Sequence, residues 1–170
     1  MADNEKTLTI YMTIYNPSNP LTDFKKIIKN GTNQNKLFIY NDNFFQFQDK
    51  NSMTPGGGNA CLRPYRQDTS NPHKEIFSLG IPTGPEPSSS MNPNDLIHEA
   101  IQNIKDFITN NSNIQEVYYS CEKGTDGNLG LNIFKDIPWS QENINLISQK
   151  LKIMFKELEK NRIVQYIINQ

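Results

Sequence analysis

Three consecutive glycines followed by arginine are the residues of this chain best suited to hold an anion. Gly56, Gly57 and Gly58 stand together in a chain with nine glycines, and Arg63 and Arg66 follow shortly after. Glycine lets backbone N–H groups approach a ligand closely, and successive N–H groups can form a nest for phosphate oxygens. A guanidinium adds a permanent, forked positive charge. The stretch predicts a phosphate-binding loop, with a flexible loop as the alternative; it is neither a Walker loop nor a Rossmann fingerprint.

A second glycine-rich segment follows a later apolar stretch. Gly124, Gly127 and Gly130 recur at three-residue spacing directly after "EVYYS". If both glycine loops lie at neighbouring strand ends, they can clamp a diphosphate from two sides. The alternative is a hairpin turn around Asp126 and Gly127, which is the more common meaning of an Asp-Gly pair.

Polar side chains stand where two apolar stretches end. Asp42 and Asn43 close "LFIYNDN" and are candidates to bind a ribose or a base edge, while Thr83 in "GIPTG" can offer a hydroxyl. The alternative for all three is an ordinary role in turns. Signals for catalysis are weak, because no carboxylate pair is evident, and Asp42 is the first acid or base to test. With two Cys, two His and no CxxC spacing, we predict no metal site and no cofactor.

The elements that must position these residues alternate along the chain. "TLTIYMTIY" alternates strictly and predicts a half-buried strand, while "KLFIYN" is almost wholly apolar and predicts a central one. Helical stripes begin after Asn92, which with Pro93 predicts a capped start, and after Ser140. The segment 42–74 shows no periodicity. We predict strands over 7–15, 36–41, 75–81, 114–120 and 162–168, and helices over 22–30, 92–108 and 140–160.

This alternation predicts an α/β fold, one domain over residues 1–170, with a mixed, mostly parallel sheet flanked by helices. In such folds ligands bind outside the carboxyl ends of the strands. The loops that begin after Asn41, Ile81 and Ser120 lie there, and all three are rich in glycine or proline. Their shared position is the main evidence in the sequence for a binding site.

Bulk properties limit the partners and the compartment. The net charge of −1 gives no general attraction for nucleic acid, and no apolar run reaches the length of a membrane span or a signal peptide. We therefore expect a cytoplasmic protein without a membrane partner. The abundance of Asn, Ile and Lys follows AT-rich codons; if the source is viral, the host cytoplasm or the virion is the expected place. The oligomeric state is open.

The two glycine loops and the strand ends resemble those of macro domains. The matching stretches are "IYNDN", "PGGGNA" and "DGNLGLNIF". The chain is also similar to small phage- and virus-borne proteins with a "DN" strand end, a glycine loop, "GIPT" and "LGTG". The resemblance covers about residues 36–134 and leaves out the first strand and helix. It differs at Leu131 and Asn132, where the pattern has Thr-Gly, and the glycines lack the glutamate pair of the glycohydrolase branch.

The resemblance implies a macro-like, three-layer fold that binds ADP-ribose or a related nucleotide diphosphate. It implies ligand contacts at the strand ends and in both glycine loops, with ADP-ribosyl hydrolysis as a further activity to test. The implied ligand-binding residues are Asn41, Asn43, Gly56, Gly57, Gly58, Asn59, Arg63, Thr83, Gly127, Gly130, Asn132 and Phe134. The alternative is a noncatalytic viral protein that binds a host protein or RNA through Phe44, Phe45, Phe47 and Tyr65, or that serves as a virion component.

Overall fold

The computed structural model describes residues 6–84, 88–130 and 138–170. Its strands are β1 (Leu8–Thr13), β2 (Lys36–Asp42), β3 (Phe77–Pro82), β4 (Glu116–Ser120) and β5 (Val164–Asn169). Its α-helices are α1 (Phe24–Asn30), α2 (Phe44–Gln48), α3 (Pro93–Asn110) and α4 (Pro138–Leu158). Two 3₁₀ helices cover Pro20–Thr22 and Gly58–Tyr65, and the second is called the 58–65 helix below.

The five strands form one sheet in the order β3-β2-β4-β1-β5. All four pairings within it are parallel, so the predicted α/β fold is confirmed. The predicted central position of "KLFIYN" is also confirmed, because β2 lies between β3 and β4. Since the strands are parallel, the ends of β1, β2, β3 and β4 meet at one edge of the sheet.

Each face of the sheet carries its own layer of helices, which gives the three layers. Successive side chains of a strand point to opposite faces of the sheet. One set, which includes Ile10 of β1 and Ile39 of β2, packs against α3 and α4. Phe38 and Tyr40 point to the other face, where α1 and the 58–65 helix cover them. The connections through α1 and the 58–65 helix run toward β3, and those through α3 and α4 run toward β5. The two pairs lie on opposite faces because parallel crossovers share one handedness.

The helix starts follow local capping chemistry. Asp23 accepts hydrogen bonds from the Lys25 and Lys26 N–H groups at the start of α1, and Asn92 caps α3 with Pro93 in its first turn. The predicted start of α4 is wrong: the helix begins at Pro138, so Ser140 lies inside its first turn. Within the described residues, no helix has both the length and the apolar character needed to cross a membrane.

The segment 42–74, for which the sequence predicts no periodicity, contains α2 and the 58–65 helix. Both are too short to show a repeated stripe, but each buries apolar side chains, Phe47 from α2 and Leu62 from the 58–65 helix. Arg66 is 0% exposed and donates to the carbonyls of Gln46, Phe47 and Asp49 and to Asp68. This buried guanidinium therefore ties α2 to the chain that follows the glycines.

Candidate functional site

The carboxyl ends of β1 to β4 surround a cavity of about 700 Å³. All predicted site residues that the structure describes, except Gly127, line this cavity: Asn41, Asp42, Asn43, Gly56, Gly57, Gly58, Asn59, Arg63, Thr83 and Gly130. Asn132 and Phe134 lie outside the described residues. A second cavity of about 620 Å³, between residues 51–53 and 64–75, contains none of the predicted residues.

Three consecutive N–H groups of the glycine loop have no acceptor among the residues that the structure describes. Gly56 N–H donates to the Ala60 carbonyl at 3.0 Å, and Ala60 N–H donates to the Gly57 carbonyl at 3.2 Å. Among the described residues, no group accepts from the N–H of Gly57, Gly58 or Asn59. Gly58 has φ of 59°, Gly57 before it is extended, and the Ala60 N–H closes a tight turn on the Gly57 carbonyl; successive N–H groups in such a turn can bind an anion.

Arg63 lies beneath this loop and is engaged by the protein itself. Its Nη2 and Nε donate to Asp42 Oδ1 at 2.5 and 3.2 Å, and its Nη1 donates to the Thr54 carbonyl at 2.7 Å. A Cβ atom on Gly56 would lie 2.9 Å from Ala60 Cβ and 3.1 Å from the guanidinium, and these two contacts explain the glycine there. The Asp42 side chain is 0% exposed. The positive charge of Arg63 therefore neutralises Asp42. A direct contact of Arg63 or Asp42 with a ligand stays a prediction.

Asn41 and Asn59 connect the glycine loop to the strand ends. Asn59 Oδ1 accepts from the Asn41 N–H at 2.9 Å, and Asn59 Nδ2 donates to Ser120 Oγ at 2.8 Å. Asn41 Nδ2 donates to the Gly130 carbonyl at 2.7 Å. Asn41 Oδ1 is buried, and no described residue donates to it. Both asparagine side chains thus link β2 to the end of β4 and the segment after it.

The remaining predicted residues on the wall have local partners. Asn43 Oδ1 accepts from the Gln46 N–H at 2.8 Å and caps α2. Thr83 donates to the Asp42 carbonyl through its N–H at 2.9 Å and through its hydroxyl at 3.4 Å. These contacts are those of turn and cap residues, and they fix the shape of the cavity wall. The contacts proposed for Asn43 and Thr83 with a ligand stay predictions.

The second glycine segment forms the hairpin that the sequence offered as an alternative. Cys121 and Leu129 form an antiparallel bridge, and the Gly130 N–H donates to the Ser120 carbonyl at 2.9 Å. Gly127 has φ of 81°, and a Cβ atom there would lie 2.6 Å from Met12 Sδ. Gly127 therefore packs on the α3–α4 side of the sheet. Of the predicted residues in this segment that the structure describes, Gly130 is the one that reaches the cavity.

Residues before and at the start of α1 complete the cavity, although the sequence analysis placed them outside the site. Thr13 ends β1 and Tyr15 follows it, Asp23 caps α1, and Phe24 and Lys25 lie in the first turn of α1. A signal for them existed, because β1 was predicted in the same parallel sheet and its carboxyl end must lie at the same edge. Cys61 also lines the cavity, and burial raises the pKa of its thiol, which disfavours the thiolate.

The aromatic residues proposed for RNA or protein contacts are mostly folded inward. Phe44 and Phe47 are at most 1% exposed, and the Tyr65 ring packs edge-on against His73 at 5.0 Å. Phe45 is 56% exposed. Within the described ranges, no cluster of three His, Cys, Asp or Glu residues is arranged to hold a metal ion.

Comparisons of the chain with protein-family models, with curated proteins and with solved structures found no match.

Proposed function

We propose that the chain binds ADP-ribose or a related nucleotide diphosphate in the cavity at the carboxyl ends of the strands. One observation carries this proposal: Gly57, Gly58 and Asn59 line the cavity, and their N–H groups have no acceptor among the described residues. Successive backbone N–H groups in a turn can form a concavity that binds phosphate oxygens. The diphosphate lies on these three groups in our proposal.

The size and lining of the cavity support a ligand larger than a phosphate ion. Its volume of about 700 Å³ falls in the usual range for small-molecule sites, about 300–1,000 Å³. Beyond the glycine loop it extends to Phe24, Tyr15 and Thr13, which provide aromatic and hydroxyl surface for a sugar or a base. The resemblance to macro domains supports ADP-ribose as the first ligand to test.

The charges around the cavity indicate that backbone dipoles provide the attraction. The residues that line the cavity include two cationic side chains, Lys25 and Arg63, and two carboxylates, Asp23 and Asp42. Arg63 and Asp42 pair directly, so the lining carries no excess positive charge. We therefore expect binding that depends only moderately on salt, because it does not rely on exposed side-chain charges.

The geometry does not support Asp42 as an acid or base for ADP-ribosyl hydrolysis. The carboxylate is enclosed, with its side chain 0% exposed, and it accepts from both Arg63 and the Asn43 N–H. A general acid or base must reach the proton that it transfers. We therefore propose binding without turnover through Asp42. Since nucleotide diphosphates are cytoplasmic metabolites, we propose the cytoplasm, or the host cytoplasm for a viral source, as the place of action.

Calorimetric titration with ADP-ribose, NAD, ADP and pyrophosphate tests the proposal. We expect ADP-ribose to bind in the micromolar range. We also expect Gly57→Ala to weaken it, because a methyl group at Gly57 meets no protein atom within 4 Å but stands at the phosphate site. The matched control is Gly31→Ala, at an ordinary backbone conformation outside the cavity.

Absence of binding by all four ligands at about 1 mM, equivalent to roughly −4 kcal/mol, would overturn the proposal. Strongly salt-dependent RNA binding without any nucleotide response would favour the alternative of a nucleic-acid-binding protein. Equal loss of affinity in Gly57→Ala and Gly31→Ala would place the ligand elsewhere.

A further inference from the structure

We infer that the Asn59 side chain is a brace that positions the glycine loop, and that Asn59 offers a ligand its backbone N–H alone. This inference rests on the proposed function. The side-chain amide is used at both ends, since its oxygen accepts from Asn41 N–H at 2.9 Å and its nitrogen donates to Ser120 Oγ at 2.8 Å. The amide keeps one further N–H and one further lone pair, but the two bonds hold it against the strand ends, and the contact that we assign to a ligand is the backbone N–H.

The two partners of Asn59 belong to adjacent strands. Asn41 lies in β2 and Ser120 ends β4, and β2 and β4 are paired in the sheet. Asn59 also follows Gly58 directly, so its side chain fixes the loop immediately beside the left-handed residue. The brace therefore sets the position of the unpaired N–H groups relative to the rigid edge of the sheet.

The loop has a second anchor at its other end, and the free N–H groups lie between the two. Arg63 holds the Thr54 carbonyl and packs under Gly56, whereas Asn59 holds the far side. Gly57 and Gly58 contact no other residue at the positions where side chains would stand. Without the brace, the ordering of these two glycines would have to occur on binding, which lowers affinity.

The chemistry of the amide allows the brace to be separated from a direct ligand contact. Asn59→Leu removes both hydrogen bonds and replaces the amide by an apolar side chain of similar volume. In Asn59→Asp, one oxygen can accept from Asn41 N–H, and the other can accept from the Ser120 hydroxyl, which is able to donate. Aspartate therefore keeps the brace but adds a negative charge beside the phosphate site.

The first measurement needs no ligand. Backbone ¹⁵N relaxation reports order parameters for residues 57–59, which we expect near about 0.85 in the natural chain and below about 0.6 in Asn59→Leu. In Asn59→Asp, we expect order parameters close to those of the natural chain. Unchanged order in Asn59→Leu would overturn the brace, whatever the protein binds. If Asn59→Leu does not fold by circular dichroism, Ser120→Ala, which removes one of the two bonds, takes its place.

The second measurement is the affinity for ADP-ribose. We expect Asn59→Leu to weaken binding about tenfold because order is lost, and Asn59→Asp to weaken it at least about tenfold because of charge while order is kept. Retained affinity in Asn59→Asp would overturn the placement of the phosphate beside Asn59. Failure of the natural chain to bind any nucleotide would overturn the proposed function but leave the relaxation result standing.

A double-mutant cycle with Ser120→Ala completes the test. If the side chains of Asn59 and Ser120 act as one brace, the double variant Asn59→Leu/Ser120→Ala binds about as well as Asn59→Leu alone. Losses that multiply would show that the two side chains contact the ligand independently, and that outcome would overturn the inference.

Discussion

The two glycine-rich loops of this protein have similar composition but opposite construction. In the first, a Cβ atom on Gly57 or Gly58 would meet no atom of another described residue within 4 Å. In the second, a Cβ atom on Gly127 would meet Met12 and Tyr119, and one on Gly130 would meet the backbone of Cys121. Packing therefore requires glycine at Gly127 and Gly130 of the second loop, whereas Gly57 and Gly58 of the first loop are open at the cavity.

The loops also differ in what holds them. The second loop is a hairpin whose own backbone groups pair across it, such as Glu122 N–H to the Asn128 carbonyl at 2.8 Å, and side chains outside it, such as Tyr119 and Ser148, bond to it as well. The first is held by the side chains of Arg63 and Asn59, and its central N–H groups have no described partner. Since these N–H groups do not hold the loop to the described residues, the buried side chain of Arg63 and the partly buried side chain of Asn59 fix it instead.

The largest expected effect tests the side-chain anchor of the first loop. Arg63→Met leaves the Asp42 carboxylate buried without its cation, and we expect a loss of about 3–5 kcal/mol in the free energy of unfolding. Urea denaturation measures it. The double variant Asp42→Asn/Arg63→Met serves as control and should recover part of the loss, because the buried charge is then gone. A loss below about 1 kcal/mol for Arg63→Met would show that the loop does not depend on this pair.

The next effect tests the packing of the hairpin. Gly127→Ala combines a left-handed φ of 81° with a Cβ atom 2.6 Å from Met12 Sδ, and we expect about 3 kcal/mol of destabilisation. Gly124→Ala is the matched control, because its φ of 79° is nearly the same and nothing lies within 4 Å of the added methyl group. We expect about 1 kcal/mol there. Equal losses in urea denaturation would contradict tight packing of the hairpin.

A smaller effect tests the openness of the first loop. Gly58→Ala carries only the backbone cost of φ at 59°, about 1 kcal/mol, and Gly58→Asn should cost less, because asparagine tolerates this conformation. Gly57→Ala should change stability by less than about 0.5 kcal/mol. Thermal or urea unfolding of the three variants provides the comparison. A loss for Gly57→Ala as large as that for Gly127→Ala would remove the distinction between the loops.

The smallest effect concerns pH and the anchor that follows the glycines. Burial disfavours the ionised form of Asp68, but hydrogen bonds and charge from Arg66, with Lys50, outweigh this and lower the pKa of the carboxyl group. A lowered pKa contributes stability above the pKa of the unfolded chain and loses it as pH falls through the pKa of the folded chain. We expect urea midpoints of the natural chain to fall more steeply between about pH 5 and about pH 2 than those of Asp68→Asn. Parallel curves would contradict this.

The sequence predicted the sheet well, because its strands obey simple patterns. The strict alternation from Leu8 onward and the apolar run before Asn41 gave both the strands and the edge at which they end. The glycines and Arg63 could be placed at that edge from topology alone. Asn92 could be recognised as a cap because its side-chain chemistry is local.

The residues that the sequence could not place depend on distant partners. The local sequence does not show that Arg63 pairs with Asp42. It also does not show that a side chain at Gly127 would collide with Met12. The helices α2 and 58–65 are too short to show periodicity. The role of Arg66 in holding α2 could therefore not be predicted from the sequence. The start of α1 was missed as part of the site because the resemblance covered only the middle of the chain.

The sheet order also has a consequence for how the protein is made. β1 is synthesised first, yet its two neighbours are β4 and β5, whereas β2 and β3 are adjacent both in the chain and in the sheet. During translation, the first strand must therefore wait for residues 164–169 before its second edge is paired. We expect late, non-local closure of this kind to slow folding and to leave one edge of β1 unpaired, and so prone to aggregation, until residues 164–169 have been made.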